Sequence, residues 1–150
     1  MKFLVTEECG RLARWLRLMG YDAAISAANP LSALYRTAYN EGRVVVTRNR
    51  RVGVSGLFRV IRLESPALDG QLRQVIREAS LAAEGSQPFT RCDLCNRALD
   101  AVEKPMVRDR VPPYVFQTQE RFYTCPSCRR VYWAATHWAR ACAFFEKIRS

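Results

Sequence analysis

Two short cysteine pairs, Cys92-Asp-Leu-Cys95 and Cys125-Pro-Ser-Cys128, stand about 30 residues apart and are the residues of this chain best suited to chemistry. Each pair puts two sulfurs on one tight turn. Two such turns facing each other complete a tetrahedron around a zinc ion and leave no position for substrate, so the expected ion is structural. Pro126 and Asn96 favour the turns, and Arg91, Arg97, Arg129 and Arg130 flank the sulfurs, where a cation favours the ionised, metal-binding thiolate. Two disulfides or a redox-active pair would use the same residues. Met1 is followed by no apolar signal segment, however, so a reducing cytoplasm is the expected location and zinc the expected use of Cys92, Cys95, Cys125 and Cys128. Cys9 and Cys142 are left over and read as small buried apolar residues.

A second constellation mixes acids and arginines. Thr6-Glu7-Glu8, Asp22 and Thr47-Arg48-Asn49-Arg50-Arg51 are expected at the carboxyl ends of strands, where open parallel sheets bind ligands. Carboxylates beside a cationic strip suit a hard divalent ion, Mg or Mn, acting on a phosphodiester. From spacing alone, solvated loop and helix-start acids are the favoured reading of Glu7, Glu8 and Asp22. No glycine-rich phosphate motif is present, which removes support for a nucleoside triphosphate or a dinucleotide. His137 is the only histidine; with four cysteines filling the zinc shell it reads as a core or helix-start hydrogen-bonder rather than a ligand or a general base.

The balance of charge points to a polyanionic partner. The 150 residues carry a formal charge of +10, and 21 of the 24 basic residues are Arg, the side chain that contacts phosphate bidentately. A GC-rich genome also explains the preference for Arg over Lys, but not the net charge. Residues 1–85 hold 13 basic and 8 acidic groups and residues 86–150 hold 11 and 6, so both parts are basic. No run of 18 apolar residues exists, and no membrane partner is expected.

The elements that must position these groups follow from hydrophobic period. Lys2–Thr6 reads as a strand, Gly10–Met19 as a helix with Leu12, Trp15, Leu16 and Met19 on one stripe, and Tyr21–Ile25 as a second strand. Asn29-Pro30 opens a helix that runs to about Asn40; the β-branched run Val44–Thr47 is a strand buried on both faces. A strand at Phe58–Leu63 and a helix at Leu68–Ala83 complete a βα alternation, which implies an open, largely parallel α/β sheet over residues 1–85. Glu84–Pro88 is a polar linker, and residues 86–150 form a separate zinc ribbon from short β-prone pieces at Met106-Val107, Tyr114–Phe116, Arg121–Thr124 and Val131–Trp133. Thr136 caps a last helix carrying Trp138, Ala141, Cys142 and Phe145.

Gly10–Asp22, Glu41–Arg48, Arg91-Cys-x-x-Cys-Asn96 and Cys125-x-x-Cys128 with Val131-Tyr-Trp133 and Thr136-His-Trp138 together resemble the Mut7-C family over nearly the whole chain. The resemblance implies a PIN-like α/β nuclease domain followed by a zinc ribbon, with metal-dependent RNA cleavage at acidic residues on strand ends. The family pattern carries Asp at the positions of Thr6 and Asn49, and acids where this chain has Ala28-Asn29-Pro30, which leaves Asp22 in place and Glu7 or Glu8 as substitutes. The expected function is thus RNA binding, to transfer or ribosomal RNA with DNA still open, on a nuclease scaffold whose activity is weakened or lost. An active Mg- or Mn-dependent ribonuclease and a protein-docking ribbon are the alternatives. The expected RNA contacts are Arg11, Arg14, Arg17, Arg48, Arg50, Arg51, Arg129 and Arg130, with Tyr114, Phe116, Phe122, Tyr123 and Trp133 either stacking on bases or packed around the metal turns.

Overall fold

A computed structural model describes residues 1–81, 89–134 and 136–149, with the side chains of 136–138 outside that description. The Glu84–Pro88 linker and the side chain of His137 therefore lie outside the described residues, whereas the helix expected to reach Ala83 ends earlier, at Glu78, with Ser80 turned to φ 53° just beyond it. By packing, the chain forms two compact units, Met1–Asn96 and Arg97–Ser150.

The first unit is built on four parallel strands. In chain order these are β1 (Lys2–Thr6), α1 (Gly10–Leu18), β2 (Asp22–Ser26), α2 (Leu31–Glu41), β3 (Arg43–Thr47), β4 (Val60–Arg62) and α3 (Leu68–Glu78), and the strands lie in the order β2-β1-β3-β4. The chain leaves β1 towards β2 on one side and reaches β3 on the other, which makes the gap between β1 and β3 a topological switch point. Leu4, Val45 and Val46 are fully buried, as the continuous apolar run required, and Leu4 and Val45 pack with Leu34, Ala38 and Val52. Helix α1 buries Leu12, Leu16 and, just past its end, Met19. It stops where Gly20 turns to φ 94°, with Gly20 N–H and Tyr21 N–H donating to the Arg17 and Leu16 carbonyls.

The second unit is a small antiparallel sheet of β5 (Asp100–Val102), β6 (Phe122–Thr124) and β7 (Val131–Tyr132), with α4 (Pro113–Thr118) between β5 and β6 and α5 (Thr136–Arg149) at the end. Val107, Val111, Val115 and Phe122 form its core. Two β-prone pieces are corrected here. Met106-Val107 belongs to a 3-10 turn over Lys104–Val107 and Tyr114–Phe116 to the helix α4, because Pro105, Pro112 and Pro113 supply helical φ at the starts and no N–H for a ladder. The strand at Asp100–Val102 has no apolar alternation to announce it.

Candidate functional site

The carboxyl ends of β1 and β3 meet at the switch point, and two buried threonines mark it. Thr6 and Thr47 are fully buried, with their hydroxyls 2.8 Å apart. Both reach Glu8: Thr6 Oγ1 lies 2.6 Å and Thr47 Oγ1 3.2 Å from Glu8 Oε1, and the same oxygen accepts Arg48 N–H at 3.2 Å. Burial is the largest influence on the Glu8 carboxyl and pushes its pKa up. The hydrogen bonds from Thr6, its own backbone, Arg48 and Thr47 outweigh it together, and the net pKa is lowered. Asn49 N–H donates to Thr47 Oγ1 at 2.9 Å, and Asn49 Oδ1 accepts Arg51 N–H at 2.9 Å, so both side chains order the turn that follows β3. An open cleft of about 580 Å³ lies over this edge, lined by Glu7, Glu8, Asn49, Arg51 and the segment from Ala27 to Ser32.

Asp22 is not at this edge. In the parallel register it lies opposite Lys2 at the amino end of β2, while Ser26 lies opposite Thr6 at the carboxyl end. Its placement with Glu7 and Glu8 is therefore corrected, since parallel strands put the first residue of β2 a full strand length away. Asp22 instead pairs with Arg43 at 2.7 Å and accepts Asn96 Nδ2–H at 2.7 Å, while Asn96 Oδ1 takes Ala23 N–H at 3.0 Å. Burial pushes the Asp22 carboxyl up, but hydrogen bonds from Arg43 and Asn96 and the nearby guanidinium charges hold it below its ordinary value.

The arginines of α1 separate in the same way. Arg17 is only 6% exposed and is a strut, with Nε donating to Ala23 O at 2.8 Å and Nη1 to Asp93 O at 2.9 Å and Leu94 O at 3.2 Å. Its assignment to a phosphate-facing surface is corrected, because a buried fork already engaged with three carbonyls has little left to offer solvent. Arg14 pairs with Asp93 at 2.7 Å on a half-exposed side chain. Arg11, Arg48, Arg50, Arg51, Arg129 and Arg130 are exposed. Tyr114 is exposed, Phe122 is buried in the ribbon core, and Phe116 and Trp133 pack against that core. Asp93 and Asn96, which anchor the first cysteine turn on α1 and β2, are residues whose roles no sequence spacing announces.

The four cysteines come together. Cys92, Cys95, Cys125 and Cys128 have their sulfurs all within 4.8 Å of one another. At a Zn–S bond of about 2.3 Å a tetrahedron needs sulfurs roughly 3.8 Å apart, so the set fits a single ion such as zinc. Cys95 N–H points at Cys92 Sγ at 3.4 Å and Cys128 N–H at Cys125 Sγ at 3.5 Å, two matching turns in which an amide supports a sulfur. Among the described residues no other group of three or more His, Cys, Asp or Glu side chains converges in this way.

The chain thus holds an open parallel α/β unit with a cleft at its switch point, a small antiparallel sheet unit, and a four-cysteine cluster that fits a metal ion. Residues 1–145 match the family described as the Mut7-C RNAse domain, and the chain belongs to that family. No curated protein and no solved structure matches it. No helix among the described residues is long and apolar enough to cross a membrane.

Proposed function

We propose that this chain binds RNA through the arginine-bearing carboxyl edge of its sheet, and that hydrolysis there is weak or lost. The observation that carries this reading is the Thr6–Glu8–Thr47 contact: two hydroxyls and one carboxylate converge where a Mg-dependent hydrolase gathers acids. The Thr6 and Thr47 hydroxyls and the Arg48 N–H already crowd one oxygen of Glu8, which leaves less of it for an ion. Arg48, Arg50 and Arg51 remain exposed beside the cleft and supply phosphate contacts. If all three touch a single strand, log K falls with log salt at a slope of about −2, or roughly twentyfold between 50 and 200 mM. The four thiolates hold zinc as a closed structural shell, which suits a reducing cytoplasm, and residues 86–150 act as a ribbon appended to the α/β domain of residues 1–85.

A second reading has one observation in its favour. Glu8 has a lowered pKa and shares the cleft with Glu7 and Arg51, and one or two carboxylates with substrate phosphates are enough for Mg or Mn in many phosphoryl enzymes. Labelled transfer and ribosomal RNA, incubated with zinc-loaded protein with and without Mn²⁺ and scored for gel shift and cleavage, tests both. A salt-sensitive shift without cleavage is expected. Metal-dependent cleavage abolished in Glu8→Gln would establish the second reading, and the absence of any shift would end the first.

A further inference from the structure

The chain between β3 and β4, residues 48–59, has no regular structure but is held firmly at both ends. Val52 is buried with Leu4, Leu34, Ala38 and Val45. Gly53 N–H donates to the Tyr35 hydroxyl at 3.0 Å, the Tyr35 ring stacks on Phe58 with centroids 5.4 Å apart, and the Arg62 guanidinium donates to the Val52 carbonyl. Between these anchors the loop projects Val54, 90% exposed, and Leu57, 72% exposed. Among the described residues they are the most exposed of the large apolar side chains. Leu57 N–H is turned back onto Ser55 Oγ at 3.0 Å, which shapes the tip.

Charge says what the tip faces. Residues 48–59 hold Arg48, Arg50, Arg51 and Arg59 and no acid, whereas Arg43 pairs with Asp22 at the amino end of β3 and Arg62 is turned onto the Val52 carbonyl. Arg48, Arg50, Arg51 and Arg59 are exposed. An apolar tip on a loop whose own charged side chains are all arginine matches a polyanion that also presents apolar faces, and a nucleic acid with unstacked bases is such a partner. Two side chains are too few to anchor a lipid surface, and an acidic peptide would leave the pairing of apolar tip and arginines without a reason. Resting on the RNA-binding reading above, we infer that the Arg48–Arg59 loop selects RNA with unpaired bases: Val54 and Leu57 pack on the face of an exposed base in a loop, bulge or end while the arginines hold the flanking phosphates.

The test uses the full zinc-loaded chain, an RNA hairpin carrying 2-aminopurine in its unpaired loop, and a fully paired duplex of equal length. The probe's fluorescence changes when wild type binds the hairpin, and the hairpin binds more tightly than the duplex. The double variant Val54→Ser/Leu57→Ser loses about tenfold in hairpin affinity and the probe signal, with duplex affinity and salt slope unchanged. Its thermal midpoint equals that of wild type, because both side chains face solvent. A variant that binds the hairpin as wild type does, with the same probe signal, overturns the inference and leaves RNA binding intact. If wild type binds neither RNA, the RNA-binding reading fails and the inference with it. Retention on phosphatidylserine vesicles that disappears in the double variant, with hairpin binding unaffected, assigns the tip to a lipid surface and overturns the inference as well.

Discussion

Arg17→Met separates a structural arginine from a phosphate-binding one. The guanidinium makes three contacts of 2.8 to 3.2 Å with the carbonyls of Ala23, Asp93 and Leu94, which tie α1 to β2 and to the first cysteine turn. Methionine keeps much of the aliphatic stem but leaves those carbonyls without a donor. A hydrogen bond to a charged group contributes about 1.5–3 kcal/mol, and three would sum to about 4.5–9. Against this stands the cost of burying the charge, several kcal/mol, which is also why burial leads the causes that lower the Arg17 pKa although Cys92, Asp93, Asp22 and Cys95 oppose it. The net loss expected is about 3 kcal/mol, a fall of roughly 6–12 °C in the midpoint for a chain of this size. Circular dichroism melts of zinc-loaded wild type, Arg17→Met and the exposed control Arg11→Ala provide the measurement. Arg11→Ala changes stability by less than about 0.5 kcal/mol. RNA affinity of Arg17→Met, measured well below its midpoint, keeps the wild-type salt slope, since the side chain meets no phosphate. A midpoint within 2 °C of wild type, or a slope shallower by about one unit, would refute the assignment.

Other expectations are narrower. Asp22→Ala removes the acceptor of Asn96 Nδ2–H and one acceptor of Arg43, whose side chain is 11% exposed and keeps Glu41 and the Phe3 carbonyl, so urea unfolding shows a loss of about 2 kcal/mol, while any RNA cleavage persists. The lowered pKa values of Glu8 and Asp22 mean that their stabilisation is complete above the ordinary values of 4.5 and 3.8 and is lost as pH falls through the lowered folded ones. The urea midpoint should therefore be level above about pH 5 and drop below about pH 4, with a smaller drop in Glu8→Gln; equal drops would remove Glu8 from the account. Chelation should release one zinc per chain, read with a colorimetric dye, and abolish the folded signal of the second unit, because thiolate binding supplies on the order of 10 kcal/mol to such modules. Cys125→Ser should purify with little zinc, and zinc at wild-type stoichiometry in that variant would contradict the cluster.

The sequence by itself determined what local pattern and covalent spacing can specify. Alternating apolar strands and amphipathic helices required a parallel α/β sheet, and Val45 and Val46 are buried as their β-branched run demanded. The C-x-x-C turns required four convergent sulfurs, because each turn fixes two of them within four residues of chain. Tertiary structure alone decided which end of the sheet each polar group occupies. Asp22 follows Gly20-Tyr21 in sequence as plainly as Glu7 follows Thr6, yet one opens a strand and the other follows one, and only the register distinguishes them. Arg11, Arg14 and Arg17 recur every three residues on one helix, but a step of three turns the helix by about 300°, so the face drifts and Arg17 comes round to β2 and the Asp93 carbonyl. The Thr6–Thr47 contact joins residues that are neighbours only because β3 pairs beside β1, a long-range hydrogen bond that no local periodicity encodes.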